Sequence, residues 1–210
     1  MRARRGLWSR IQVLQSGAAT RADTQLQANE AFHLSVAASV LRGGGIVAHA
    51  TEAVWGLACD PFDAVAVSRL LILKGRAIDK GLIVIGADES DFAAEMAALG
   101  ELNAARVRRT WPGAETWLVP NREFPTWITG GRTTVAVRVP GHGQARELCA
   151  RFGGPLVSTS ANPSNRPAAR TAMAVRRYFV RDIDYLLSGR VDGASAPSRI
   201  REAVSGLRVR

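Results

Sequence analysis

From residue 28 onward, apolar side chains recur first at helical spacing and then in short unbroken runs, and the two patterns keep alternating. Phe32, Val36 and Val40, with Ala37 and Leu41, recur at helical spacing and predict a helix that Gly43-Gly44-Gly45 stops. Ile46-Val47-Ala48 then reads as a buried strand. Val67, Leu70 and Leu71 predict a second helix ending near Lys74-Gly75, and residues 82–85 a second buried strand. Helical stretches follow at about 89–99 and 102–110, the latter broken by Trp111-Pro112-Gly113. Strands are predicted at 116–119, 134–139 and 156–159, and a helix at 144–152. Another helix is capped by Thr171 and runs through Phe179. Short strands at 185–187 and 206–210 complete the series. No repeat, low-complexity tract or Pro/Ser-rich linker interrupts it. The alternation predicts one α/β (α+β) domain with a twisted mixed sheet flanked by helices.

Residues 1–27 lack this periodicity and read as a basic N-terminal extension, disordered, attached to a domain at 28–210. A translation start placed too far upstream would leave the same mark. Leu7, Trp8, Ile11, Val13 and Leu14 are interrupted by Arg10 and Gln12, so no secretory apolar core forms. An organellar presequence would share the arginines and the scarcity of acids.

Charge adds a partner class. The chain has 210 residues and a formal charge of +10 from 28 basic and 18 acidic residues. The first 27 residues hold five arginines and one acid, which leaves 23 basic and 17 acidic residues in the body, still +6. Such an excess suits anions such as nucleotide, pyrophosphate or an RNA backbone, though a solvated basic surface would account for it equally. The apolar runs fall well short of the roughly 20 residues that span a bilayer, so no membrane role is expected. Cys59 and Cys149 stand far apart and form neither a metal pair nor a disulfide framework, which fits a reducing cytoplasm.

The chain has no Gly-x-x-x-x-Gly-Lys-Ser/Thr loop, no Gly-x-Gly-x-x-Gly and no His-Glu-x-x-His. Its three histidines, His33, His49 and His142, are scattered without metal spacing and read as structural or surface residues. Four segments instead carry polar groups at the ends of predicted strands, where ligands bind in α/β sheets. Thr51-Glu52-Ala53-Val54-Trp55-Gly56-Leu57 follows the first strand. Lys74-Gly75-Arg76-Ala77-Ile78-Asp79-Lys80-Gly81 sets three cations within seven residues, able to neutralise a triphosphate or simply to complement a helix dipole. Trp111-Pro112-Gly113-Ala114-Glu115-Thr116 delivers Thr116 to a strand start. Ser158-Thr159-Ser160-Ala161-Asn162 offers three hydroxyls and an amide, suited to a small polar ligand or to a serine-rich turn. Together they describe a polar, cationic pocket for a small anionic ligand.

In order and spacing these segments, with Ala136-Val137-Arg138-Val139-Pro140, resemble the YrdC/TsaC family of threonylcarbamoyl-AMP synthases in its short single-domain form. The resemblance runs from about residue 28 to the C-terminus. It implies a sheet folded around a basic concave cavity. It implies an enzyme, a nucleotidyltransferase that makes L-threonylcarbamoyladenylate and pyrophosphate from L-threonine, bicarbonate and ATP, with Mg2+ on the phosphates. The product would serve N6-threonylcarbamoyladenosine formation in tRNA through downstream threonylcarbamoyl-transferase proteins. Position by position, it implies Lys74 and Arg76 as catalytic groups on the phosphates. Lys80, Thr116, Ser160, Asn162 and Arg210 would bind ATP. Thr51, Ala53, Arg138, Ser158 and Ser198 would border threonine, Arg138 as a carboxylate partner or a structural one. A non-catalytic double-stranded RNA or tRNA-binding module is the competing expectation.

The chain departs from the family pattern at a few points. His49-Ala50 stands where an aromatic or aliphatic residue and then proline are usual, Ala77 and Ala114 replace prolines, and Asn165 replaces glycine, a change Asn tolerates at positive φ.

Overall fold

The computed structural model describes residues 5–179, 181–194 and 198–209, with side chains described from residue 23. In chain order the elements are α1 (Arg5–Arg42), β1 (Val47–Ala50), β2 (Trp55–Cys59), α2 (Ala64–Lys74), β3 (Ile83–Ile85), α3 (Ala93–Ala98), α4 (Glu101–Arg108) and β4 (Glu115–Pro120). There follow α5 (Thr126–Thr129), β5 (Thr134–Arg138), α6 (Gly143–Phe152), β6 (Leu156–Ser160), α7 (Ala172–Tyr178), β7 (Tyr185–Leu186) and β8 (Arg199–Glu202). Among the described residues the strands form one eight-stranded sheet in the order β7-β1-β2-β6-β3-β5-β4-β8. Pairs β7–β1, β3–β5 and β4–β8 are parallel and the other four antiparallel, which gives the mixed sheet the sequence predicts.

Side-chain alternation sorts the strands into two faces. Ala48, Ala50, Trp55, Leu57, Cys59, Val84, Trp117, Val119, Val135, Val137 and Val157 join the larger core with Val67, Leu70, Met96, Val107, Ile128 and Val175 from the helices. The opposite face is covered only in part. There Val47, Ala58, Ile85 and Leu156 pack against Leu34, Ala37 and Leu41 of α1 and Ala145, Leu148 and Cys149 of α6. Beyond those helices the same face carries Ile83, Ala136, Leu118, Ser158 and Ser160, none of them fully buried. One side of the sheet therefore anchors the fold, and part of the other stays open. Burying Trp55, Trp117, Phe92 and Phe179 contributes roughly 1.5–3 kcal/mol each to holding the closed side.

Local chemistry sets the ends of the helix that leads to the site. Asp63 caps α2 by accepting from the Val65 and Ala66 N–H groups, and Gly75 ends it in the left-handed region at φ 56°. The Gly75 N–H reaches the Ile72 carbonyl and the Arg76 N–H the Leu71 carbonyl, which turns the chain sharply after Lys74.

Several expectations need correction. The buried stripe of α1 is Leu34, Ala37, Ala38 and Leu41, and Phe32 is 63% exposed. Helix α1 begins at Arg5. Residues 23–30 are exposed, and packing against the domain starts only further along. Residues 55–57 of the first polar segment belong to β2 (Trp55–Cys59), and the last named strand among the described residues is β8. Residue 210 lies outside the described residues, and 206–209 run back along β8 through the Arg201–Arg208 bridge, with the Glu202 N–H donating to the Leu207 carbonyl and the Val209 N–H to the Ile200 carbonyl. Asn165 does adopt positive φ, at 64°.

Candidate active site

Strand register brings residues from distant parts of the chain onto the open face. Gly56 pairs with both His49 and Ser160, Ala58 with Ser158, and Ile85 with Arg138. Trp117 pairs with Val137, so Thr116 and Arg138 occupy the next position on adjacent strands. His49, Gly56, Ser158, Ser160, Arg138 and Thr116 thus share one side of the sheet. Ser158 and Arg138 lie two strands apart, about 10 Å across the sheet.

Lys74, the last residue of α2, is 4% exposed. Its ammonium donates to the Ser160 carbonyl and, at 2.8 Å, to the Asn162 carbonyl. The loop after β6 returns the contact, since the Ser164 N–H and hydroxyl bond the Lys74 and Gly75 carbonyls at 2.7 and 2.9 Å. Lys74 therefore joins the end of α2 to the end of β6. Burial, then the neighbouring Arg76 charge, lower its pKa to about 8. Arg76 closes its own loop by donating from Nε and Nη2 to the Gly81 carbonyl at 3.2 and 2.8 Å, while Lys80 stays exposed. Ala77, in place of proline, rests at φ −67°, the angle a proline would impose. The structure thus brings Lys74, Arg76, Ser160 and Asn162 into one neighbourhood.

A second cluster centres on Arg138. Its guanidinium donates to Glu52 Oε1 and, at 2.8 Å, to the Gly113 carbonyl. The same Glu52 oxygen accepts from the Gly141 N–H at 2.6 Å, and the Glu52 carbonyl accepts from the Ala194 N–H. Burial opposes ionisation of Glu52. Arg138 and the backbone donors of Glu52 and Gly141 outweigh it and hold the carboxyl below its usual range. The ion pair ties the loops at 52, 113 and 141, and the Glu52 backbone adds the loop at 194.

Thr116 is fully buried and its hydroxyl donates to Ser198 Oγ at 3.0 Å, so residues expected to serve different substrates touch directly. The Thr51 hydroxyl closes its loop onto the Val54 carbonyl at 2.6 Å, with Ala53 buried inside that turn. Arg210, expected to bind ATP, lies outside the described residues. Two residues of the site escaped the sequence reading. Glu52 stood within a quoted motif without a role, and His49 was read as structural or surface. Opposite charges in two loops of that motif set were the available signal for Glu52.

The Sua5/YciO/YrdC family model, described as "Telomere recombination", matches residues 39–209. The threonylcarbamoyl-AMP synthase of Halorhodospira halophila is 50% identical over 180 residues, covering 85% of this chain and 94% of that protein. The enzyme of the same name from Pseudomonas aeruginosa strain UCBPP-PA14 is 49% identical over 182 residues, covering 85% of this chain and 97% of that protein. Sua5 of P. abyssi, solved in complex with L-threonine, superposes with a TM-score of 0.76 at 33% identity. That match covers 80% of this chain and 50% of the Sua5 chain, so this chain spans about half of Sua5's length. On the matched span, the identity and the shared fold, the chain belongs to the Sua5/YciO/YrdC family.

Proposed function

We propose that this chain is a threonylcarbamoyl-AMP synthase, converting L-threonine, bicarbonate and ATP into L-threonylcarbamoyladenylate, pyrophosphate and water. The threonine amine bonds to the bicarbonate carbon, and loss of an amine proton with a bicarbonate hydroxyl as water leaves a carbamate. A carbamate oxygen then attacks the α-phosphorus of ATP, and pyrophosphate leaves with the electrons of the broken P–O bond. Positioning and charge stabilisation supply most of such a transfer, which suits a site with cations and hydroxyls but no evident nucleophile.

The observation that carries the reading is the buried Lys74 ammonium at the edge of the open polar face, anchored by two carbonyls with a third N–H to offer. With Arg76 and Lys80 it would hold the phosphates. Ser160, Asn162, Thr116 and Arg210 would line the nucleotide, and Thr51, Ala53, Ser158 and Ser198 the threonine. Glu52 already meets the charge of Arg138, which supports the structural role for that arginine. Mg2+ would arrive on the ATP phosphates as part of the substrate.

A cytoplasmic setting, delivery of the product to tRNA-modifying transferases and a domain starting near residue 28 belong to the same proposal. No helix among the described residues is long and apolar enough to cross a membrane. The net charge of +10 is compatible with a second reading, an RNA-binding module without chemistry, as well as with the first. The grouping of cations at one loop and the near full-length identity to synthases favour the enzyme.

A pH profile of threonine-dependent pyrophosphate release tests this role of Lys74. The charged form predominates below its pKa of about 8, so kcat/KM for ATP should hold at neutral pH and fall about tenfold per unit above about pH 8. Lys74→Arg should remove that alkaline limb, because a guanidinium stays charged. An unchanged limb in Lys74→Arg would assign the titration elsewhere.

A further inference from the structure

On the open face His49 is fully buried, yet its ring reaches the polar floor of the site. Its Nδ1 lies 3.1 Å from the Ala50 carbonyl and its Nε2 3.4 Å from Ser158 Oγ. A carbonyl only accepts, so Nδ1 carries the proton. A neutral imidazole has one N–H, which leaves Nε2 as an acceptor, and the Ser158 hydroxyl must donate to it. Burial keeps the ring neutral, lowering its pKa to about 4. Gly56 makes the approach possible, because a Cβ there would stand 3.0 Å from His49 Nε2 and 3.2 Å from Ser158 Oγ. Any side chain at that position would wedge the pair apart.

We propose that His49 is a positioning residue that accepts the hydrogen bond of the Ser158 hydroxyl and so turns this serine into a hydrogen-bond acceptor toward the N–H or O–H groups of threonine. Ser158 is only partly buried and sits on the open face one strand from Ile83 and two residues from Ser160. Without His49 the hydroxyl can rotate and present its proton to a donor, which repels it. His49 stands where the family pattern carries an aromatic or aliphatic residue, so this chain supplies the acceptor itself. The inference rests on the threonine-binding reading of Ser158 given above.

Two variants and one spectrum test it. His49→Phe keeps a ring and removes the acceptor, and KM for threonine should rise about tenfold while kcat and KM for ATP stay within about twofold. His49→Gln offers a carbonyl oxygen to Ser158 and an amide to Ala50, and should restore most of the threonine affinity. Nitrogen-15 NMR of labelled histidine should show Nε2 of His49 unprotonated between about pH 6 and 8. An unchanged KM in His49→Phe overturns the proposal, as does an equal loss in both variants. So does a protonated Nε2. Should the wild-type chain lack threonine-dependent turnover, the function fails, and the NMR result still decides the tautomer on its own.

Discussion

Lys74→Ala should lower kcat/KM for ATP by about 100- to 1000-fold, the loss that follows removal of one preorganised charge-bearing donor from a transition state. The side chain is nearly buried, so its charge acts in a medium that screens it poorly. Its removal also leaves the Ser160 and Asn162 carbonyls without their donor, at the junction of α2 and β6. A loss of about 1–3 kcal/mol in stability should accompany the kinetic defect. Lys74→Arg separates the two effects, because it restores the charge but cannot match the paired carbonyl geometry. Initial rates and urea titrations on the same preparations check both. A Lys74→Ala variant with near wild-type kcat/KM would remove this residue from the phosphate site.

Glu52→Ala should lower unfolding stability by about 3 kcal/mol, seen as a lower denaturation midpoint with an unchanged slope against urea. The side chains of Glu52 and Arg138 are only 14% and 10% exposed, so the change strands a cation that solvent scarcely reaches. It also frees the Gly141 N–H and leaves Arg138, which holds the Gly113 carbonyl, without its counter-charge. Because the folded-state pKa of Glu52 lies below its ordinary value, its contribution is complete above about pH 4.5 and fades as pH falls through the lower folded value. The gap between wild type and variant should therefore narrow in acid. A constant gap down to about pH 2 would mean that the ion pair is not the source of the stability. In a double-mutant cycle, removing Arg138 as well should cost less than the two single losses added together.

The fold was legible where the chain follows one periodicity, and less so where it follows none. β2 is buried on both faces, so Trp55-Gly56-Leu57-Ala58-Cys59 shows no alternation and reads as a loop. β8 carries Arg199, Arg201 and Glu202, and its pairing depends on β4 and the Glu115 carboxylate rather than on apolar pattern. Phe32 was placed inward because it fits a helical stripe with Val36 and Val40. The stripe that packs on α6 keeps the expected Ala37 and Leu41 but takes Leu34 in place of Phe32, with Val40 partly buried beside it.

For the site, the hydroxyls of β6 and the cations after α2 could be picked out from local chemistry alone. Their partnerships could not. Glu52 and Arg138 are 86 residues apart, and Lys74 meets backbone carbonyls of residues whose side chains drew attention instead. His49 looked unremarkable for the same reason: its two partners are a neighbouring carbonyl and a serine 109 positions away.

The most direct measurement of the central claim is pyrophosphate release by the purified full-length chain supplied with MgATP, bicarbonate and isotope-labelled L-threonine, alongside mass spectrometry of the nucleotide products. The account predicts pyrophosphate only when threonine and bicarbonate are both present, in equal amount with a labelled threonylcarbamoyl-adenylate. Pyrophosphate that ignores threonine, or no turnover in a chain that binds an RNA duplex tightly, would contradict it.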